Sequence, residues 1–363
     1  MFQFIHAADF HLDSAFGALS PQQAAARRRE SRELGFRLAN YVNSRGIPLV
    51  LLAGDLFEHS GAFRETGELL AQALGGMEAR VFIAPGNHDW AGKGSVWETV
   101  AWPENVHVFR EGAVSAVELP ELNAVVHGAA FTGPEQADGF LSGFAAPRDG
   151  RVHLGLFHGE VDPAERRYDP IRKEEIAASG LAYLALGHIH RRTDPLTFGR
   201  TVCAWPGCPE GRGFDELGEK GFYRGSVSDG GAVSLDFVPF ARRRYEILEV
   251  DVTGAFPRAA VEAALPPDTA RDLYRIVLTG EAGETDPAAI QEALADRFYA
   301  LEVRDRTRVA EDVWARAGED SLRGLFLRDL RGRLDRAESE EERETVARAA
   351  RFGLAALDHR DLR

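Results

Sequence analysis

The chain has 363 residues, of which 44% are hydrophobic, and a formal net charge of −14. That length allows a large buried core divided between two domains, while the acidic balance (21 basic against 26 acidic side chains after residue 240, 22 against 31 before it) argues against broad electrostatic adhesion to nucleic acid. Two cysteines, Cys203 and Cys208, argue against a thiolate zinc site and read as free thiols, and no apolar segment reaches the roughly 18 residues that span a bilayer.

The predicted elements follow in chain order. Phe2 to Ala7 reads as a strand that starts without a leader pattern, so cytoplasmic residence is the expectation. Residues 21–45, opening on Pro21, predict one crossover helix, and Phe63 to Leu74 a second. Apolar runs at Pro48 to Ala53, Val81 to Ala84, Val152 to Phe157 and Leu181 to Leu186 predict further strands. Gly221 to Ser228 and Ala232 to Pro239 flank Asp229-Gly230-Gly231 as a hairpin. Beyond a boundary near Pro239 to Arg244, strands at Tyr245 to Val252, Leu273 to Thr279 and Tyr299 to Val309 alternate with helices at Pro257 to Ala264 and Pro287 to Phe298. Leu322, Leu325, Phe326, Leu330 and Leu334 recur at helical spacing, and Glu340 to Leu357 adds a second helix with Val346, Ala349, Phe352 and Leu357 near one face.

Five polar motifs sit where the predicted strands end: Asp9-Phe10-His11, Gly54-Asp55, Gly86-Asn87-His88-Asp89, His158-Gly159 and Gly187-His188-Ile189-His190. In open α/β sheets the crevice at the carboxyl ends of strands is where ligands bind, so motifs far apart in sequence can converge there. Carboxylate, imidazole and amide ligands in this number suffice for two divalent metal ions, and imidazole with carboxylate suits Mn, Fe or Zn. Two such ions about 3.5–4 Å apart can clamp a phosphoryl group and activate water. Asp55, with two oxygens, is the candidate bridge, and His88 is left to donate a proton or stabilise charge.

With these motifs the sequence resembles the calcineurin-like metallophosphoesterases over residues 1 to about 240. The resemblance implies an α/β sandwich of two mixed sheets flanked by helices. It implies one metal held by Asp9, His11, Asp55 and His190, a second by Asp55, Asn87, His158 and His188, and His88 in the catalytic role. Ile5 to Leu12, Ala53 to Phe57 and the stretch Trp205 to Glu216 are similar to the DNA repair exonuclease branch that includes SbcD-like and YhaO-like proteins. That branch implies a Mn-dependent exonuclease or endonuclease acting on DNA ends, a homodimer, and an SbcC-like or YhaN-like ATPase partner. Residues 1–240 would then be the nuclease domain, 241–318 a small α+β capping domain, and 319–363 a helical pair that either packs locally or docks the ATPase.

Glu58 replaces the histidine that some nucleases of the branch carry three residues after the bridging aspartate. It either orients His88 or is a solvated loop carboxylate. Asp89 either supports the ligands or caps a turn. Arg27-Arg28-Arg29 and Arg242-Arg243-Arg244 read as solvated helix face or domain junction, with phosphate contact as the functional alternative. Two other functions stay open: a phosphatase or phosphodiesterase for small nucleotides, and a non-catalytic tethering subunit.

Overall fold

The computed structural model describes residues 1–283, 285–309 and 314–357. Positions 284, 310–313 and 358–363, within the predicted second and third segments, lie outside the described residues. The chain divides into two compact units, Met1–Arg244 and Tyr245–Arg363.

The first unit runs β1 (Phe2–Ala7), α1 (Pro21–Arg32), α2 (Leu34–Ser44), β2 (Leu49–Leu52), α3 (Arg64–Gly75), β3 (Arg80–Ile83), α4 (Val96–Thr99), β4 (Val106–Val108), β5 (Ser115–Leu119) and β6 (Ala124–Gly128). It continues through β7 (Val152–His158), β8 (Glu160–Val161), β9 (Pro170–Ile171), α5 (Lys173–Ala178), β10 (Tyr183–Gly187), β11 (Leu196–Phe198), β12 (Thr201–Ala204), β13 (Gly221–Val227) and β14 (Val233–Pro239). One six-stranded sheet has the order β14-β13-β1-β2-β3-β4 and the other β11-β12-β10-β7-β6-β5. Both are mixed: the first is antiparallel only at its β14-β13-β1 side and parallel through to the β4 edge, and the second has a parallel centre with antiparallel edges.

Strand alternation explains the layers. Leu49 and Leu51 of β2 point between the sheets, where they join Phe4, Phe82, Leu154 and Tyr183. Val50 and Leu52 point outward to Leu38, Val42, Leu70 and Leu74 of the helices. Phe157, Leu184 and Leu186 face the other way, onto Ile171, Ile176 and Trp205. Strands covered on both faces carry near-continuous apolar runs, which is what made β1, β2, β7 and β10 visible as sequence.

Several expectations need correction. The helix predicted over 21–45 is two, because the backbone N–H of Glu33 is shared between the carbonyls of Arg29 and Ser31. In the second of these helices Gly35 lies against Leu70 and Ala73, where a Cβ would come within 3.0 and 3.1 Å of their side chains. Arg27 is neither solvated nor a phosphate track: it is 1% exposed and bonded to Glu30 and Glu210. Arg242 and Arg243 pair with Glu33 and Glu30. Cys203 and Cys208 are free, as expected, and both are buried.

In the second unit a parallel sheet orders Tyr245–Asp251, Leu273–Thr279 and Ala300–Asp305 side by side. Helices Pro257–Ala264 and Pro287–Leu294 contribute Val261, Ile290 and Leu294 to its core. The terminal helices, Leu322–Leu334 and Glu340–Leu357, meet through Leu327, Leu330 and Ala350, with Phe326, Leu334, Val346 and Leu354 against them. The predicted stripe is therefore shifted: Leu322, Leu325 and Phe352 are more than half exposed and Ala349 lies outside the cluster. Arg351 ties the last helix to Asp305 of the sheet. No helix among the described residues is long and apolar enough to cross a membrane.

Candidate metal centre

All five motifs meet at the carboxyl ends of β1, β2, β3, β7 and β10. Asp9, His11, Asp55 and His190 place one ligand atom each within 4.8 Å of one another, as do Asp55, His158 and His188. Asp55 belongs to both groups. Its Oδ2 lies 3.7 Å from Nε2 of His11 on one side and 3.2 Å from Nε2 of His158 on the other. Asn87 Oδ1 is 3.0 Å from Nε2 of His158 and 3.0 Å from Nδ1 of His188. Nε2 of His11 and Nε2 of His190 approach to 3.2 Å.

The backbone is bent to achieve this. Asp9, His11, Asp55 and His188 have φ of 56°, 44°, 51° and 93°, the left-handed region that non-glycine residues occupy at a cost of order 1–3 kcal/mol each. The chain turns sharply after each strand and aims the side chain back across the sheet edge. Gly54 (φ 83°) lets two loops touch, since a Cβ there would meet His158 Nδ1 at 2.7 Å and Ala84 O at 2.8 Å. Asp89 holds the arrangement from behind, its oxygens accepting from Gly86 N at 2.7 Å, Leu56 N at 2.8 Å, Asp55 N at 3.2 Å and Phe57 N at 3.3 Å. It thus braces the loops after β2 and β3 together.

Each imidazole keeps one nitrogen toward the cluster while its other nitrogen has a protein partner. Nδ1 of His158 donates to Ala53 O at 2.8 Å and Nε2 of His188 to Glu160 at 2.8 Å, while Nδ1 of His190 lies 2.8 Å from Glu216 and 2.9 Å from Arg212 Nη2. Nδ1 of His11 lies 3.4 Å from Glu58. Such outer partners fix the tautomer and ring orientation of metal-binding histidines.

Electrostatics expose what the group lacks. Burial opposes charge on His158, but Asp55 and Asp9 outweigh it and hold its pKa at about 9. Asp55 is pulled well below the usual carboxylate range by His158 and His11 despite burial. For Asp9 burial prevails and raises the pKa, and for His188 burial and the neighbouring His158 lower it to about 3. Asp9 Oδ2 is buried with no hydrogen-bond partner, a costly state for a carboxylate unless a cation neutralises it. Orphaned oxygen, shared carboxylate and inward nitrogens together fit two divalent cations with mixed nitrogen and oxygen ligands.

His88 stands beside the cluster, its ring 4.8 Å from that of His11, and its backbone N donates to Asp55 at 2.9 Å. The expected Glu58 pairing takes another form. Nδ1 of His88 meets the Glu58 backbone carbonyl at 3.1 Å, whereas the Glu58 carboxylate is engaged by Ser14, Arg212 and His11. These partners overcome burial and keep its pKa at about 2. Sequence reasoning missed Arg212, Glu216 and Glu160 as supports, although 212 and 216 lie in the Trp205 to Glu216 stretch. It also missed the walls of a cleft of about 330 Å³ in front of His88, formed by Trp90, Pro134, Glu135, Arg167 and Tyr168. The Tyr168 ring packs 4.8 Å from that of His188.

Residues 2–192 match the calcineurin-like phosphoesterase family, which uses a dinuclear metal site. The chain is 29% identical over 321 residues to the uncharacterized metallophosphoesterase YhaO of Bacillus subtilis, covering 83% of this chain and 78% of that one. It is 24% identical over 350 residues to the DNA double-strand break repair protein Mre11 of Methanopyrus kandleri, covering 88% and 74%. With more than half its length matched and the cluster at the strand ends, the chain belongs to the calcineurin-like phosphoesterase family.

Proposed function

We propose that the protein is a dinuclear-metal phosphodiesterase that cuts DNA at its ends, working with an SbcC-like or YhaN-like ATPase. The observation that carries this reading is the convergence of seven side chains, Asp9, His11, Asp55, Asn87, His158, His188 and His190, with His88 grouped beside them next to His11 and Glu58. Asp9, His11, Asp55 and His190 would hold one ion, and Asp55, Asn87, His158 and His188 the other. Resemblance to the nuclease branch points to Mn2+, and the mixed nitrogen and oxygen donor set also accepts Fe and Zn. Bound there, the ions supply charge neutralisation at the phosphoryl oxygens and a water of lowered pKa.

The chain's own residues do the rest. His88, with Nδ1 donating to Glu58 O, presents Nε2 toward the cleft, where an imidazolium can protonate the leaving oxygen. Asp89 and the glycine turns hold the geometry without reorganisation during the reaction. Similarity to a protein named for DNA double-strand break repair supports DNA as substrate. The exposed Leu322, Leu325 and Phe352 suit docking of the helical pair on the ATPase.

A second reading, a phosphodiesterase for small nucleotides, draws on the −14 charge and the modest cleft. Mn-dependent digestion of end-labelled linear duplex DNA, beside a phosphodiester and a phosphomonoester, separates them. Stepwise shortening of DNA, abolished by chelator and by His88→Ala, is the expected result. Hydrolysis of the small esters alone, with and without the ATPase, would move the substrate to nucleotides.

A further inference from the structure

Residues 210–216 contribute no member of the converging set, yet they are anchored from below. Buried Glu210 accepts from Arg37 at 2.8 Å, from Arg242 N at 2.7 Å and from Arg27 at 3.3 Å. Arg27 also donates to Gly211 O at 3.1 Å and lies 5.3 Å from the Phe16 ring. This network fixes the root of the segment, and Arg212 projects from it. Its Nη1 is 3.3 Å from Glu58 Oε2, and its Nη2 is 2.5 Å from Glu216 Oε1. Its Nε and its backbone N donate to Glu216 Oε2 at 3.3 and 2.8 Å. Glu216 Oε1 then lies 2.8 Å from Nδ1 of His190, and Glu58 Oε2 lies 3.4 Å from Nδ1 of His11. One guanidinium therefore holds both carboxylates that face the outer nitrogens of His11 and His190.

Resting on the dinuclear reading, we propose that Arg212 and Glu216 are positioning residues for one metal site, the one that takes His11 and His190. Nδ1 of His190 lies 2.8 Å from Glu216 Oε1 and 2.9 Å from Arg212 Nη2; once Nε2 gives its lone pair to an ion Nδ1 must carry the hydrogen, and of these two neighbours only the carboxylate can accept it. The planar fork of arginine fixes Glu216 through parallel bonds, which the point charge of lysine does not reproduce. The other site is independent of this bracket, because His158 and His188 rest on Ala53 O and Glu160. The consequence is asymmetric: damage to the bracket should weaken one ion and spare its neighbour.

The test is Mn2+ titration of the full chain by calorimetry, with electron paramagnetic resonance to tell a coupled Mn pair from an isolated ion. Glu216→Gln and Arg212→Lys should each lower the affinity for one Mn2+ by about 10–100-fold and leave the other within about twofold. At intermediate Mn2+ the coupled signal should give way to that of an isolated ion, while the metal-free melting temperature stays at the wild-type value. If Glu216→Gln unfolds, Arg212→Lys carries the same prediction with the carboxylate intact. Equal weakening of both ions, or no weakening in either variant, would overturn the assignment. A wild-type chain binding fewer than two Mn2+ would overturn the dinuclear reading itself, and this assignment with it.

Discussion

His6 and His158 are both fully buried, and each lies near the end of a strand inside its sheet, β1 and β7. Their surroundings differ in one respect. His6 sits between the sheets, with Nδ1 2.7 Å from the Tyr183 hydroxyl and Nε2 3.1 Å from Leu186 O. Burial there pushes its pKa down to about 3. His158 lies at the strand ends, where Asp55 and Asp9 reverse the effect of burial and hold its pKa at about 9. His127 follows His6: its Nε2 meets Nδ1 of His153 at 2.9 Å, and burial and His153 lower its pKa to about 4. Burial alone therefore does not mark a histidine as functional. Convergence with carboxylates does.

The comparison can be broken from either side. The largest effect expected is from His158→Ala, which should bring Mn-dependent hydrolysis to background and also lower the metal-free melting temperature, because buried Asp55 and Asp9 lose the imidazole whose pKa they hold at about 9. A collapse in melting with retained activity would reverse the two roles. His88→Ala should lower hydrolysis by about 10²–10⁴-fold with Mn2+ binding by calorimetry unchanged. Unchanged hydrolysis would end its catalytic assignment.

On the interior side, Tyr183→Phe strips His6 of a buried partner and should cost about 1–3 kcal/mol in chemical denaturation, with hydrolysis by the folded protein intact. The smallest effect is a pH dependence. The unfolded chain protonates His6 below its ordinary pKa of 6.5, whereas the folded chain resists until about 3, so stability is lost as pH falls through that window and is unaffected above it. The stability difference between wild type and His6→Phe should therefore shift by about 1.4 kcal/mol in favour of the variant between pH 7.5 and 5.5. A difference constant with pH would show that His6 titrates normally in the fold.

What could be read in the sequence follows from this contrast. The motifs at Asp9, Asp55, Asn87, His158 and His188 stood out because short polar groups interrupt apolar runs that only double-faced burial requires. Glu160, Arg212 and Glu216 did not, since no apolar pattern marks them and each meets a site residue only in the fold, 28 residues away for Glu160 and His188 and 154 for Arg212 and Glu58. Arg27 was misleading for a related reason. An arginine run on a helix looks solvated until Glu210 and the Phe16 ring are brought to it by the fold. Strands β4 and β5 are half-exposed or exposed and left no clear period, and β6, though buried throughout, ends in a histidine and a glycine that cut its apolar run short. In the terminal helices the periodicity was visible but its phase was not, because Leu325 and Leu327 compete for the inner face and contacts with Ala350 decide between them.

The left-handed turns at Asp9, His11, Asp55 and His188 carry a warning for protein engineering. A redesign guided by stability alone would rank these four positions high, since glycine relieves such torsions at once. Each gain in melting temperature obtained there would remove one of the side chains proposed to hold the metals, so a thermostable variant of this chain should leave those four residues fixed and seek its improvements in the helices instead.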